Sequence, residues 1–198
     1  MSETFFATMS RMKYIERWAL MRSSRPEYLS EHALEVAMIA HALCTLGNVR
    51  LHKNLNADRA ALIGLYHDSA EIITGDLPTP VKYGNPEMKA AYAQTEKQAQ
   101  KRLLDKLPED LQPVYENILN PAAAGEDPYL LRLVKAADKL SALIKCIEEA
   151  TSGNREFRTA EESTRLVIQN LQEELPEVAV FVAEFLPHYG STLDELLI

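Results

Sequence analysis

The chain has 198 residues, a net charge of −8, 46% hydrophobic residues and 25% charged residues. These values are typical of an ordinary globular protein, and we expect one domain over residues 1–198. The acidic balance argues against binding to a nucleic-acid polymer, which requires surplus Lys and Arg, but allows a small phosphorylated ligand. The apolar runs are too short to cross a bilayer, and the opening "MSETFFATMSRMK" lacks the pattern of a signal peptide, so we expect no membrane association and a cytoplasmic location.

Nearly all of the chain predicts helices. Helix starts are indicated by candidate N-caps at Ser30 and Asn56 and by Pro108 in a first turn. Helix ends are indicated by Gly47 and Gly75. In chain order the predicted helices are Ser30 to Gly47, Asn56 to Gly75, 86–107, 108–119, 127–150, 155–175 and 176–186, with a last short segment around Asp194. No alternating stretch of five or more residues predicts a strand, so the sequence predicts an all-α bundle of one domain.

Helical geometry separates the histidines of the first long helix. His32 shares the apolar stripe of Val36 and Leu43, and therefore should point into the bundle. His41 lies about half a turn away around the helix and should face outward. We expect His52 and His188 to be exposed or packing histidines.

A second set of polar residues interrupts the apolar helix "AALIGLYHDSAEIITG". His67 and Glu71 are four residues apart, and Asp68 and Glu71 three apart, so each pair shares a helix face. Such groups in an interior cost several kcal/mol unless they are paired or bind a cation. The alternative is a satisfied polar cluster, with His67 bonded to a backbone carbonyl. Asp138 adds a further carboxylate, because it follows Val134 by one turn on the buried side of its helix.

Together these residues offer two imidazoles and two carboxylates, which suit a divalent Mn, Co, Fe, Zn or Ni ion and offset its charge. The candidate ligands are His32, His67, Asp68 and Asp138. A cation bound there would connect three helices.

The order of these residues resembles the H…HD…D signature of the HD-domain superfamily of metal-dependent phosphohydrolases, which are all-helical. A closer resemblance is to the bacterial 5′-deoxynucleotidases, through "ERWALMR", "SEHALEVA", "YHDSAEIITGDLPTPVK" and "KAADKLSALIKCIEE". The resemblance implies hydrolysis of 2′-deoxyribonucleoside 5′-monophosphates with one divalent cation, such as Co or Mn, held by the four ligands. It also implies a homodimer.

The same resemblance guides the assignment of the remaining site residues. We expect Glu71 to handle a proton, the alternative being a salt bridge to a nearby Lys or Arg. Arg17 can bind phosphate oxygens and stabilise transition-state charge, and Trp18 can form a wall beside the sugar, the alternative being core packing. The predicted substrate contacts are Arg17, Trp18, His32, Asp68 and the "GDLPTP" residues Asp76, Leu77, Pro78 and Thr79, although an ordinary capped turn also fits that stretch.

Two other functions stay open at this point. One keeps the metal site but acts on another nucleotide, as an HD-domain phosphodiesterase or phosphomonoesterase. The other is a metal-stabilised binding or regulatory module without turnover. Arg17, Trp18 and "GDLPTP" favour the deoxynucleotidase over the first, and the presence of all four ligands and Glu71 argues against the second.

Overall fold

The computed structural model describes residues 3–82 and 84–198, apart from the side chains of residues 79 and 80. It confirms the all-α prediction. The helices are α1 (Phe5–Met9), α2 (Leu29–Arg50), α3 (Ala57–Tyr66), α4 (Glu71–Thr74), α5 (Thr79–Lys82), α6 (Pro86–Leu104), α7 (Gln112–Leu119), α8 (Pro128–Thr151), α9 (Arg158–Glu174), α10 (Pro176–Glu184) and α11 (Leu193–Leu197). Two short 3₁₀ helices cover Ser10–Tyr14 and Leu186–His188.

The only strands among the described residues are β1 (Glu16–Arg17) and β2 (Glu27–Tyr28), two residues each. They pair antiparallel, with Glu16 opposite Tyr28 and Arg17 opposite Glu27. This small ribbon lies directly before α2, so that its side chains are carried to the N-terminal end of that helix.

The centre of the bundle is formed by α2, α3 and α8, with α9 and α10 packed around them. Its apolar core consists of fully buried aliphatic side chains, among them Val36, Leu43, Leu133, Leu140 and Ile144. Burial of each such side chain stabilises the fold by about 1.5–3 kcal/mol. Because the three helices are held this closely, polar residues on their inner faces must meet one another.

Two helix boundaries on α2 differ from the prediction. Ser30 is not the N-cap: Tyr28 holds that position in an extended conformation, and its N–H donates to Glu31 (3.1 Å). Gly47 does not end the helix but lies buried within it. A Cβ at Gly47 would lie 2.8 Å from Glu177 Oε1 and 2.9 Å from Leu55 Cδ1, so glycine is required there for close packing rather than for a turn.

The predicted helix from Asn56 to Gly75 is not continuous. Asn56 caps α3 as expected, accepting from the Arg59 N–H (3.0 Å), but α3 ends at Tyr66. The next N–H groups bond three residues back, as in a 3₁₀ turn: Ser69 to the Tyr66 carbonyl (3.0 Å) and Glu71 to that of Asp68 (2.9 Å). The chain then forms α4, and Gly75 ends it with a φ of 73°.

The remaining helices agree with the sequence to within a few residues, except near Pro108. That proline precedes a turn, and α7 begins at Gln112, with Pro113 in its first turn. Within the described residues no helix is both long and apolar enough to cross a membrane.

Candidate active site

The four predicted metal ligands converge on one point. One ligand atom from each of the four lies within 4.8 Å of the others. The shortest separations are His67 Nε2 to Asp68 Oδ2 (3.0 Å), His32 Nε2 to Asp138 Oδ1 (3.3 Å) and His32 Nε2 to Asp68 Oδ2 (3.5 Å). We call these residues (His32, His67, Asp68 and Asp138) the metal cluster. Its members come from α2, from the turn after α3, and from α8.

Hydrogen bonds behind the imidazoles turn both Nε2 atoms towards the cluster. His67 Nδ1 lies 2.7 Å from the Gly64 carbonyl, which can only accept, so the Nδ1 atom carries the hydrogen. His32 Nδ1 lies 2.9 Å from Ser141 Oγ. The Ser141 hydroxyl donates its hydrogen to Glu35 (2.5 Å), so Ser141 must accept from His32. In the neutral form of each ring, Nε2 therefore holds the lone pair, which is the tautomer that a metal ligand requires.

Gly64 has a second function in this arrangement. A Cβ at Gly64 would lie 2.9 Å from Ala37 Cα and 3.0 Å from the Ala37 nitrogen. The missing side chain thus allows α3 to approach the α2 backbone closely. This close approach brings the end of α3, with His67, next to His32.

The cluster fits a divalent cation. His32 Nε2 and His67 Nε2 are buried and lack a hydrogen-bond partner, which is uncommon in a protein interior. His67 does bond to a backbone carbonyl, as the satisfied-cluster alternative anticipated, but only through its other nitrogen. Two nitrogen and two carboxylate donors match the preferences of Mn, Co, Fe, Zn or Ni.

The charges within the cluster compensate one another. Burial would lower the pKa of His67, but the neighbouring Asp68 carboxylate outweighs it and raises that pKa to about 9. Burial would raise the pKa of Asp68 and of Asp138, but contacts with the two histidines lower both. Both acids are therefore ionised, and a cation bound between them would take the place of a proton on His67.

Arg17 and Trp18 lie at the end of β1, beside this cluster. The buried Arg17 guanidinium has Nη1 3.6 Å from Asp68 Oδ2 and Nε 3.5 Å from Glu27 Oε2. Burial would lower the pKa of Arg17, but the Glu27 and Asp68 carboxylates raise it. Trp18 donates its indole N–H to Glu27 (2.7 Å) and packs against Phe157, with the ring centroids 5.3 Å apart.

Glu71 forms the salt bridge that the sequence analysis left open as an alternative. Its Oε1 lies 2.5 Å from Lys82 Nζ, which in turn lies 3.6 Å from Asp76 Oδ1. Glu71 Oε2 is buried without a hydrogen-bond partner. Burial, with a smaller contribution from Asp68, raises the pKa of Glu71 to about 7. The carboxyl group can therefore gain or lose a proton near neutral pH.

The "GDLPTP" segment connects α4 to α5. Leu77 and Pro78 are half-buried, and the Pro78 carbonyl accepts from the N–H groups of Val81 (2.8 Å) and Lys82 (3.0 Å). Asp76 contacts Lys82 as described above. The side chain of Thr79 lies outside the described residues, so its predicted substrate contact stays a prediction.

Sequence reasoning correctly placed His32 inside and His41 outside, and of the alternatives exposed or packing, His52 and His188 are exposed. It missed three polar residues around the site. Ser141 follows Asp138 by three residues, so their common helix face could have revealed it. Lys82 ends the quoted motif "YHDSAEIITGDLPTPVK", but nothing in its spacing pairs it with Glu71. Glu27 gave no signal, because a two-residue strand has no periodicity to read.

Comparison with known proteins agrees with this geometry. The family described as 5′-deoxynucleotidase YfbR-like matches residues 4–189. A curated 5′-deoxynucleotidase from Yersinia pseudotuberculosis is 45% identical over 195 residues, covering 97% of this chain and 95% of that protein.

Solved structures share the fold. An HD-domain phosphohydrolase from Listeria innocua superposes with a TM-score of 0.82 at 23% identity, covering 94% of this chain and 88% of that one. The cyanophage S-2L HD phosphohydrolase, solved bound to dA and one catalytic Zn2+ ion, has a TM-score of 0.64 at 20% identity, covering 91% and 95%. The fold is thus that of the HD-domain phosphohydrolases, and this chain belongs to the YfbR-like 5′-deoxynucleotidase family.

Proposed function

We propose that this protein is a divalent-metal-dependent 5′-deoxynucleotidase, which hydrolyses 2′-deoxyribonucleoside 5′-monophosphates to the deoxynucleoside and phosphate. The observation that carries the proposal is the convergence of four ligand atoms, with two buried and unpartnered Nε2 atoms among them. The name of the Yersinia relative, at 45% identity over nearly the whole of both chains, supports the substrate class.

The metal cluster would hold one divalent cation, such as Co or Mn. A cation held by these residues would polarise a phosphoryl oxygen and lower the pKa of a water molecule. His32 and His67 are oriented for this by Ser141 and Gly64, so that little rearrangement is needed on binding. Asp68 and Asp138 offset the added charge.

Arg17 is assigned to the phosphate of the substrate. Its guanidinium lies beside Asp68, at the edge of the metal cluster, and is kept charged by two carboxylates. A planar guanidinium can donate two parallel hydrogen bonds to phosphate oxygens and stabilise the charge that develops on them.

Glu71 is assigned the proton-handling step. With a pKa of about 7, its carboxyl group can orient the attacking water or pass a proton to the leaving 5′-oxygen. The salt bridge to Lys82 holds one carboxylate oxygen and leaves the other, which is buried, without a partner, so that this oxygen would be free to bond to a water molecule or the substrate in the site.

Trp18 is assigned to the sugar, where its indole would crowd a ribose 2′-hydroxyl. The predicted contacts of Asp76, Leu77, Pro78 and Thr79 with the sugar or phosphate belong to the same proposal, as do the contacts of His32 and Asp68. A smaller residue at Trp18 should raise turnover of ribonucleotides relative to deoxyribonucleotides.

We also propose one HD domain over residues 1–198, a cytoplasmic location, a homodimer, and no nucleic-acid or membrane partner. The family match to residues 4–189 supports the single domain. Exposed apolar side chains on α2 and α11, namely Leu34, Met38, Val49, Leu193 and Leu197, provide apolar surface for a second copy. The net charge of −8 supports the absence of a nucleic-acid partner.

The test is phosphate release from a panel of nucleotides. Chelated protein should be assayed with Mn, Co, Mg and Zn added separately, on deoxy- and ribonucleoside 5′-monophosphates, 3′-monophosphates and cyclic nucleotides. We expect metal-restored release from deoxynucleoside 5′-monophosphates in preference to the others. Preferential hydrolysis of a cyclic nucleotide would indicate a phosphodiesterase, and metal binding without any turnover would indicate a binding module.

A further inference from the structure

Glu27 is a buried carboxylate that contacts three different parts of the proposed site. It lies on β2 directly opposite Arg17, and paired residues of an antiparallel ribbon project their side chains to the same face. Only 9% of the residue is exposed. A carboxylate so deeply buried needs partners, and within the described part of the chain the side chains paired with Glu27 are Trp18, Arg17 and His32, all of the proposed site.

Its two oxygens have different neighbours. Oε2 accepts the indole N–H of Trp18 (2.7 Å) and lies 3.5 Å from Arg17 Nε. Oε1 lies 3.8 Å from His32 Nδ1, beyond hydrogen-bond distance, because that nitrogen donates to Ser141 instead. The carboxylate thus joins the residue assigned to the sugar to the one assigned to the phosphate.

The backbone of Trp18 shows why this contact matters. Its φ is 59°, and among the described non-glycine residues only Trp18 and His52 have a positive φ. For a bulky residue this left-handed conformation is strained by about 1–3 kcal/mol, and it persists only where the surroundings enforce it. The contacts that hold the indole are the hydrogen bond to Glu27 and the packing against Phe157.

Arg17 depends on the same group. Its Nε has no hydrogen-bond partner of ideal geometry, and the Glu27 carboxylate at 3.5 Å is the charge that attracts that edge of the guanidinium. On the other side of the guanidinium, Nη1 lies 3.6 Å from Asp68 Oδ2. Loss of Glu27 would therefore release both the indole and the guanidinium.

We propose that Glu27 is a positioning residue that sets the indole of Trp18 and the guanidinium of Arg17 in register, so that discrimination between deoxyribose and ribose depends on it. This inference rests on the proposed function for the identity of the substrate. It does not require Glu27 to touch the substrate.

The experiment compares Glu27→Ala, Glu27→Gln and the control Glu16→Gln. Glu16 is an exposed residue on β1 and loses the same charge when changed. Kinetic constants are measured for a deoxynucleoside 5′-monophosphate and the ribonucleotide of the same base. Metal content and thermal unfolding are checked for every variant.

We expect Glu27→Ala to reduce the ratio of kcat/KM for the deoxy- over the ribonucleotide by on the order of tenfold, the effect of losing one charge-assisted hydrogen bond. Glu27→Gln keeps an acceptor for the indole N–H but loses the charge beside Arg17. It should therefore retain most of the discrimination while KM for both substrates rises. A defect that is merely structural would not separate the two variants in this way.

Fluorescence provides a readout that does not depend on activity. Trp18 is the single tryptophan of the chain, so the emission spectrum reports on its surroundings alone. We expect the emission of Glu27→Ala to shift relative to the wild type without substrate, and that of Glu27→Gln and Glu16→Gln to stay close to it. Should Glu27→Ala fail to fold, Glu27→Leu, which also removes the acceptor but fills the space, takes its place, and combined with Trp18→Phe it should cost less discrimination than the sum of the two separate effects.

An unchanged substrate ratio together with unchanged emission in folded Glu27→Ala would overturn the proposal. Its failure can be told apart from failure of the proposed function. If the wild-type protein released no phosphate from any deoxynucleotide, the deoxynucleotidase assignment would fall, whereas the emission shift would still decide whether Glu27 positions Trp18.

Discussion

Helix α8 contributes to two polar clusters that differ in one respect. Near its middle lies Asp138 of the metal cluster, where the Nε2 atoms of His32 and His67 lack hydrogen-bond partners. Near its C-terminal end lies Glu149, fully buried, which accepts from the Ser24 N–H (2.8 Å), from Lys145 (2.5 Å) and from Asn154 (2.6 Å).

We call Lys145, Glu149, Ser24 and Asn154 the anchor cluster. Lys145 also donates to the Arg25 carbonyl (2.6 Å), and Asn154 to that of Arg22 (2.7 Å), so the cluster fastens the loop between β1 and β2 to α8. Glu149 and Lys145 are paired with each other and with the chain, whereas the Nε2 atoms of His32 and His67 in the metal cluster lack hydrogen-bond partners. The difference separates a polar cluster that supports the fold from one that awaits a ligand.

The largest effect should come from breaking the metal cluster. Asp138→Ala removes one of four ligands, and because a bound cation stabilises the transition state by several kcal/mol, turnover should fall on the order of 10³-fold or more. Metal content is measured by mass spectrometry and activity by phosphate release, with the exposed Asp194→Ala as control. A variant with full metal content and full turnover would contradict the assignment of Asp138.

The anchor cluster should respond in stability. Lys145→Met leaves the buried Glu149 carboxylate without its cation and should lower the free energy of unfolding by about 3–5 kcal/mol. Urea denaturation of the chelated protein measures this. Chelated Asp138→Ala should lose less, because its cluster is not complete in the metal-free chain. A larger loss for Asp138→Ala than for Lys145→Met would reverse the comparison.

Within the metal site, Glu71 should affect chemistry more than binding. We expect Glu71→Ala to keep the metal but to lose about 10²-fold or more in kcat, the usual contribution of a general acid or base. Since the change also frees Lys82, Lys82→Met serves as the matched control. Full activity of Glu71→Ala would remove Glu71 from the mechanism.

Ser141 tests the orientation of His32 in a more graded way. Ser141→Ala removes the acceptor of the Nδ1 hydrogen, and loss of such an outer contact typically lowers metal affinity about 10–100-fold. The Kd for the metal is measured by letting the metal-free protein compete with a coloured chelator for the added ion. Ser163→Ala, an exposed serine of α9, should leave the affinity unchanged.

Acid should also weaken the anchor cluster. Burial would raise the pKa of Glu149, but its bonds to Lys145 and Ser24 lower it to about 2. Because the folded pKa lies below the ordinary value, the stabilisation by Glu149 is present above about pH 4.5 and is lost as the pH falls towards 2. The difference in unfolding free energy between wild type and Glu149→Gln should shrink over this range, and a constant difference would contradict the low pKa.

The sequence predicted the fold and the metal cluster because both follow from helical periodicity. His32, His67 and Asp138 stand on apolar faces, and a buried face tells where a polar side chain points. The sequence did not predict the break after Tyr66, because the residues of the turn at 67–70 have no Pro or Gly to signal it. That turn depends on tertiary contacts, which bring His67 and Asp68 next to His32 of α2 and Asp138 of α8.

The contacts around Arg17 could not be predicted from the sequence, for a different reason. Glu27 and Arg17 are opposite each other only because two strands of two residues pair in one register, and periodicity cannot reveal a pairing that short. The Glu71–Lys82 salt bridge likewise depends on how the chain turns at Asp76–Pro78. Pairings between residues of irregular segments need coordinates.

The glycine at position 64 has a consequence for the affinity of the metal cluster for a cation. A methyl group there would meet the rigid main chain of Ala37 rather than a side chain that can rotate away, so Gly64→Ala would force α2 and α3 apart by several tenths of an ångström. His32 and His67 sit on opposite sides of that seam, and the carbonyl that aligns His67 belongs to the same glycine. The distance between the two imidazoles is therefore set by a position that contributes no side chain at all.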